Sequence, residues 1–219
     1  MHARSAETRA RIMEAAMELF RRQGFEATTM REIAVEAGVA TGAAYYYFDS
    51  KDAIALAFYD QAQQDLAPLI ETALAGPKTL KERLSGLLEA KLKYFEPNRR
   101  LLGALAAHAD PEHPLSPFGA QSREIRERDV QSFAQVVEGS RLRVPDDLKP
   151  HLPRLLWMYQ MGLILFWIYD RSPEQTRTHL LIEKSAAIVE RLAKLAVFPL
   201  MRPVRRLIVD LMQAVMEET

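Results

Sequence analysis

Cysteine is absent from the 219-residue chain. Its absence excludes a disulfide framework, a thiolate zinc site and a cysteine nucleophile, and it suits the reducing cytoplasm expected here. A secretory leader is also lacking: Met1 to Glu7 carries charge without an apolar stretch, so export is not expected. Long hydrophobic runs are missing too. The longest, Leu155 to Tyr169, is broken by Gln160 and falls short of the ~20 residues that cross a bilayer. It reads as a buried helix, and no membrane partner is expected. Neither sign of charge is in excess, because 29 Lys and Arg face 29 Asp and Glu. A nucleic-acid-binding chain usually shows a basic surplus. Even within Met1 to Lys51, Arg4, Arg9, Arg11, Arg21, Arg22, Arg31 and Lys51 are matched by Glu7, Glu14, Glu18, Glu26, Glu32, Glu36 and Asp49. Any affinity for phosphates must therefore come from where single charges sit. Strand-like alternation, internal repeats and low-complexity tracts are not found either.

Helical periodicity is what the chain does contain. Apolar residues make up 48% and charged residues 26% of it, enough for a buried core in one large domain or two smaller ones. From Thr8 to Gln23, the residues Ile12, Ala15, Ala16, Leu19 and Phe20 recur at helical spacing, and Gly24 supplies a left-handed cap. Thr29-Met-Arg-Glu32 has the form of a capping box. It opens a short second helix carrying Ile33, Ala34 and Ala37, which stops at Gly38; a third runs from Thr41 to Phe48. Two short helices joined through Ala37-Gly38-Val39-Ala40 need a sharp turn and a close approach, which Gly38 and the small Ala34 permit. This is the geometry of a helix-turn-helix. Ser50 caps a fourth helix from Lys51 to at least Ala67, roughly 25 Å long, and Pro68 should kink or interrupt it. After Pro77, helices are expected at Leu80 to Phe95, Asn98 to His108, Phe118 to Glu138, Leu148 or Pro153 to Asp170, Pro173 to Ala196 and Val204 to Met216. Proline-rich breaks separate them at Asp110 to Pro117 and Arg143 to Pro153. Ser172-Pro-Glu-Gln175 reads as a cap, an N1 proline and an N3 glutamine.

The most informative segment is Thr28 to Lys51, Thr-Thr-Met-Arg-Glu-Ile-Ala-Val-Glu-Ala-Gly-Val-Ala-Thr-Gly-Ala-Ala-Tyr-Tyr-Tyr-Phe-Asp-Ser-Lys. Three consecutive tyrosines on a short helix cannot all be buried, so at least one phenol faces outward. Tyr45 and Tyr47 can offer hydroxyls to phosphates, and Tyr46 can reach a phosphate or pack on a thymine methyl, with Phe48 in the core. Gly42 and Ala43 let backbone approach a groove floor. Thr28, Thr29 and Lys51 lie at helix N-termini, where backbone N–H groups and the dipole favour phosphate. The alternative is a packed aromatic corner in which the threonines merely cap. Arg4, Arg9 and Arg11 read as a minor-groove or phosphate arm, or else as solvated surface.

The order of these residues closely resembles the TetR family of transcriptional regulators. The shared pattern is a threonine at the second helix, Ile-Ala, Ala-Gly-Val, a glycine in the third helix, Tyr-x-Tyr-Phe and a lysine opening the fourth. It covers about the first quarter of the chain. Two positions depart from it: Ala40 stands where the family often has a serine cap, and Ala44 where it often has a larger aliphatic. Losing the cap weakens the start of the third helix by about 1 kcal/mol, unless Thr41 caps one residue later. The resemblance implies an all-α fold, with a three-helix DNA-binding head at residues 1–50 and an effector-binding and dimerisation domain at residues 51–219 that begins with a connecting helix. It also implies DNA contacts at Thr28, Thr29, Thr41, Gly42, Ala43, Tyr45, Tyr46, Tyr47 and Lys51. A homodimer would place two recognition helices in successive major grooves about 34 Å apart on a palindromic operator. A small apolar or amphipathic effector would release it by tilting the fourth helix, a coupling of about 1 to 3 kcal/mol.

Elsewhere the signals are thinner. Trp157, Met161, Phe166 and Trp167, with Tyr159, are candidates to line an effector cavity, faced by Tyr94, Phe95 and His108; a close-packed core or dimer seam is the alternative. Leu163, Leu181, Ile188 and Leu192 are candidates for the dimer interface, since the helix from Arg154 to Asp170 is apolar nearly all round and needs cover on several sides. His108 and His113 flank Asp110 and Glu112 on a proline-rich break without metal-ligand spacing, so no metal is expected. No nucleophile elbow appears, and neither a catalytic site nor a cofactor is expected. The competing readings are an all-helical small-molecule binding protein or enzyme whose first helices are only structural, and a ligand-independent activator of the same family.

Overall fold

A computed structural model describes the backbone of residues 2–76, 78–106, 108 and 110–216 and the side chains of residues 5–76, 78–106, 108 and 110–214. Among the described residues the fold is all-α, without strands. The helices are α1 (His2–Gln23), α2 (Met30–Glu36), α3 (Thr41–Tyr47), α4 (Lys51–Leu74), α5 (Leu80–Phe95), α6 (Arg99–Leu105), α7 (Arg123–Glu138), α8 (Leu152–Tyr169), α9 (Thr176–Leu195) and α10 (Arg202–Met216). Two compact units form: Met1–Asp65 with Phe95–Arg126, and Leu66–Tyr94 with Glu127–Thr219. The first therefore takes in more chain than the head expected at residues 1–50, because Ile54, Ala55 and Phe58 of α4 and Leu101, Leu105 and Leu115 join its core.

In the first unit, Ile12, Ala16, Leu19 and Phe20 of α1 are buried, as their spacing requires. Gly24 closes the helix at φ +94°, its N–H bonded to Phe20 O at 3.1 Å. The capping box then forms in full: Glu32 N donates to Thr29 Oγ1 at 3.3 Å, and Thr29 N donates to Glu32 Oε2 at 2.8 Å. At its other end, α2 stops in a Schellman motif. Val39 N bonds Ala34 O at 2.9 Å and Gly38 N bonds Val35 O at 3.0 Å, with Gly38 at φ +65°. The helix α3 starts at Thr41 with Ala40 as an uncapped N-cap. Thr41 itself is helical, so it does not replace the missing serine.

Ser50 Oγ accepts from Ala53 N at 3.1 Å and opens α4. Pro68 does not interrupt that helix, which continues to Leu74. Gln64, whose carbonyl loses its partner to Pro68, is exposed and open to water, which explains why the chain tolerates the lost bond.

The second unit buries one face of α8, made by Leu152, Leu156, Trp157, Gln160, Leu163 and Trp167. Gln160, which breaks the apolar run, belongs to that face. Lys91 Nζ donates to its Oε1 at 2.8 Å and to Asp129 Oδ1, Gln160 Nε2 closes the triangle on Asp129 Oδ2 at 2.7 Å, and the lysine lies 4.8 Å from the Phe133 ring centre. Buried Arg83 donates to Leu74 O at 2.7 Å, Gln135 O at 2.9 Å and Val136 O at 3.1 Å, and so caps the ends of α4 and α7 together.

The turn from α8 to α9 differs from the cap read in the sequence. Gln175 Oε1 accepts from Trp167 Nε1 at 2.5 Å, while Glu174 and Gln175 are left-handed at φ 50° and 55°. Ser172 does cap, its Oγ accepting from Arg177 N at 3.1 Å, and Asp170 caps beside it, accepting from Ser172 N, Thr178 N and Thr178 Oγ1 at 2.7–2.9 Å. Arg205 fastens α10 through Asp147 at 2.9 Å and Ala196 O at 2.6 Å.

Candidate nucleic-acid interface

The third helix sorts its residues by angle. Thr41, Gly42, Tyr45 and Tyr46, at i, i+1, i+4 and i+5, are exposed, whereas Ala44 and Phe48 point into the core. Ala43 and Tyr47 lie half-buried between the two faces. Tyr46 is 81% exposed, more than a packed aromatic corner allows. Tyr47 packs against the core and meets the Tyr46 ring edge-on at 5.1 Å. The two neighbouring rings thus differ in exposure, a difference that three identical residues do not reveal in sequence. Ala44, small where a larger aliphatic was the norm, is wholly buried, as Ala34 of α2 is. Small side chains at both positions suit close packing of the turn.

Two residues expected at the interface are engaged elsewhere. Thr28 is only 2% exposed, and its hydroxyl donates to Gly24 O at 2.7 Å. It fastens the α1–α2 turn and cannot reach a phosphate. Lys51 Nζ donates to Phe25 O at 2.8 Å and Glu26 O at 3.2 Å, and it sits 4.4 Å from the Phe25 ring centre. With one proton left over and the side chain partly exposed, it can serve a phosphate only while also stapling that turn. Thr29 is exposed, but its hydroxyl and its N–H are both taken by Glu32. These bonds hold the Glu32 carboxyl below the ordinary carboxylate range, hydroxyl first and backbone second. A phosphate at Thr29 would have to displace that carboxylate.

Of the α1 arginines expected as an arm or as solvated surface, Arg9 and Arg11 are exposed, and each also meets a neighbouring element of the head. Arg11 Nη2 donates to Ala37 O at 2.7 Å, and the Arg9 guanidinium carbon lies 4.6 Å from the Phe48 ring centre. The side chain of Arg4 lies outside the described residues. No local sequence pattern marks these contacts, which join positions 26 and 39 residues apart.

The residues expected to line one cavity divide between the two units. Phe95 packs against Phe58 and Tyr59 in the first unit, with ring centres 6.2 and 6.4 Å away. His108 is in the same unit, 3.4 Å from Glu26 and stacked 3.9 Å from His113 at 8°. Rings stacked so nearly parallel keep their nitrogen lone pairs in separate parallel planes, which do not converge on one ion. In the second unit Tyr94 is half-buried at the end of α5, and Trp157, Met161, Phe166 and Trp167 follow α8. Trp157 and Trp167 are buried and Met161 is partly so, but Phe166 faces outward. Of the expected dimer residues, Leu163 is 4% exposed and belongs to the core of its own protomer; its spacing on α8 matches the buried face. Leu181 is half-buried, whereas Ile188 and Leu192 are 56% and 58% exposed.

Comparison with known proteins gives this geometry a context. Residues 12–58 match the family model described as bacterial regulatory proteins, tetR family, and residues 83–212 match the one described as tetracyclin repressor-like, C-terminal domain. An HTH-type transcriptional regulator of Bacillus subtilis, YerO, described as uncharacterized, is 36% identical over 96 residues, 42% of this chain and 33% of that protein. AcrR of Shigella flexneri, an HTH-type transcriptional regulator, is 33% identical over 107 residues, 47% of this chain and 49% of that protein. The chain thus spans from a third to a half of the length of these relatives. Among solved structures, a TetR transcriptional regulator from Nitrosomonas europaea shares the fold with TM-score 0.63 at 18% identity, over 82% of this chain and 96% of that one. Thermus thermophilus FadR, a TetR-family repressor in complex with lauroyl-CoA, gives TM-score 0.61 at 25% identity, over 82% and 93%. With the helix-turn-helix in place, one family model matching the segment that holds it and another matching more than half of the chain beyond it, the chain belongs to the TetR family of transcriptional regulators and carries a helix-turn-helix DNA-binding domain.

Proposed function

We propose that the chain is a homodimeric repressor that binds a palindromic operator and leaves it when a small apolar or amphipathic effector enters its C-terminal body. The observation that carries this reading is the exposed face Thr41, Gly42, Tyr45 and Tyr46 on α3. Tyr45 and Tyr46 supply hydroxyls for phosphates and a ring for a thymine methyl, and Gly42 allows close approach. Thr29, Ala43, Tyr47 and Lys51 stand around this face as supports, with Lys51 also within reach of the backbone phosphates. Exposed Ile188 and Leu192 on α9 favour a second copy, because two heads held at a fixed distance read a two-fold site. The lauroyl-CoA of the Thermus relative favours an acyl or similarly amphipathic effector for residues 51–219, with residues 1–50 as the DNA-reading portion. The proposed role is non-enzymatic and cytoplasmic; among the described residues no helix is long and apolar enough to cross a membrane.

A gel-shift titration against the duplex upstream of its own coding sequence, repeated across a salt series, tests the reading. Salt-dependent binding that weakens when acyl-CoA thioesters of graded length are added supports it. Binding that no added acyl thioester alters removes the acyl effector, and absence of binding removes the operator. A transcription assay on the same duplex gives the sign of regulation.

A further inference from the structure

The Schellman turn that ends α2 satisfies the carbonyls of Ala34 and Val35 through Val39 N and Gly38 N. The carbonyl of Ala37, the C-cap residue, lies outside this pattern and at the negative end of the helix dipole. Arg11 comes up from α1 to meet it: Nη2 lies 2.7 Å from Ala37 O and 3.5 Å from Gly38 O. Two residues earlier on the same helix, Arg9 lays its guanidinium over Phe48, the buried C-cap of α3, with Cζ 4.6 Å from the ring centre. One arginine therefore holds the turn that feeds α3 and the other covers the residue that ends it. Between them lie the seven residues of α3.

We propose that Arg9 and Arg11 are positioning residues for operator recognition, acting on α3 from the protein side rather than touching DNA. The proposal rests on the operator-binding reading above. Base recognition tolerates errors of only about 0.5 Å or 10–20° in the placement of contacting groups. A seven-residue helix with no side-chain cap at Ala40 has little of its own to hold that angle. The guanidinium suits both tasks: its charge complements a helix C-terminus, and its plane stacks on an aromatic face. Three cations of the head, Arg9, Arg11 and Lys51, meet carbonyls and rings, while Tyr45 and Tyr46 face outward.

The test compares the full chain with Arg9→Ala, Arg9→Lys, Arg11→Ala and Arg11→Lys on two duplexes. One is selected by the wild type from a randomised pool, and the other is a scrambled version of it. Arg11→Ala should lose affinity for the selected duplex by about tenfold, the lower end of what a charge-assisted hydrogen bond is worth, and Arg9→Ala by about fivefold, the upper end for an exposed cation–π contact. Binding to the scrambled duplex and the slope of log K against log salt should stay at wild-type values. A phosphate-contacting arginine behaves differently: both duplexes weaken equally and the slope falls by about one. That result, or wild-type affinity in both alanine variants, overturns the proposal. If an alanine variant does not fold by circular dichroism, the lysine variants decide. They keep the charge, and should lose affinity by at least about threefold on the selected duplex alone, because a point ammonium does not reproduce the planar guanidinium. Wild-type binding by both lysine variants overturns the proposal equally. A wild-type chain that selects no duplex overturns the regulator reading itself and the proposal with it.

Discussion

At the scale of single residues, the same kinds of side chain serve opposite ends. Tyr46 projects into solvent and Tyr47 leans on the core behind it, so their substitutions should separate binding from folding. Tyr46→Ala is expected to relax base preference while leaving the melting temperature within the small range typical of exposed positions. Selection from a randomised duplex pool beside a thermal melt checks this, and a large fall in melting temperature with preference intact would contradict it. Thr28→Val tests the converse. Removing a buried hydroxyl that donates to Gly24 O should cost about 1 kcal/mol of stability, measured by urea unfolding. At temperatures where both proteins are folded, operator affinity should change little; a large loss there without destabilisation would restore Thr28 to the interface.

At the scale of helices, the ends are set by groups far apart in sequence. Arg83 reaches three carbonyls on two helices, and a Cβ added at Gly139 would fall 2.1 Å from its Nη2. Gly139→Ala should therefore displace a guanidinium pinned by those bonds and cost about 2 kcal/mol in urea unfolding; an unchanged unfolding midpoint would show that the side chain can step aside. The α8–α9 turn offers a pH test. Burial pushes the Asp170 carboxyl upward, but the Ser172 and Thr178 backbone N–H groups and hydroxyls outweigh it and hold the group well below the ordinary carboxylate range. With its folded value depressed, its contribution to stability is complete above the unfolded value near 4 and is lost as pH falls through the folded one. Asp170→Asn should flatten the decline of stability below about pH 4, as urea midpoints across pH 2 to 6 would show. A decline as steep as in the wild type would assign the acid sensitivity to other carboxylates.

These elements also show what local pattern can and cannot convey. The capping box at Thr29, the Gly38 turn, the Ser50 cap and the span Leu80–Phe95 were readable because each depends on residues within a few positions of one another. Expectation failed where partners are distant. Gln160 looked like a flaw in an apolar helix until Lys91 and Asp129 met it, and the contacts that the exposed Arg9 and Arg11 make with Phe48 and Ala37 O had no local mark. Ser172 caps as expected, with Pro173 behind it, but Asp170 shares the task, and Gln175 is drawn off by Trp167. Among the expected interface residues, the outward face of α3 followed from helical angle, but the sealing of Thr28 and the stapling by Lys51 needed the α1–α2 turn in three dimensions.

At the scale of the whole molecule, the proposed function needs two heads at a fixed spacing. Ile188→Glu together with Leu192→Glu should place like charges on the exposed α9 stripe and shift the protein toward monomer in sedimentation velocity. Operator affinity should fall without loss of helix content; an unchanged sedimentation coefficient would move the interface elsewhere. The most direct measurement is selection by the full chain from a randomised duplex pool, run in parallel for the wild type and Tyr46→Ala. Enrichment of a palindrome with half-sites about one helical turn apart, or a multiple of it, and loss of preference at a defined base in each half-site for the variant, is the expected result. An enriched site that the variant reads no differently, or no enrichment at all, would contradict the assignment of the α3 outer face to the groove.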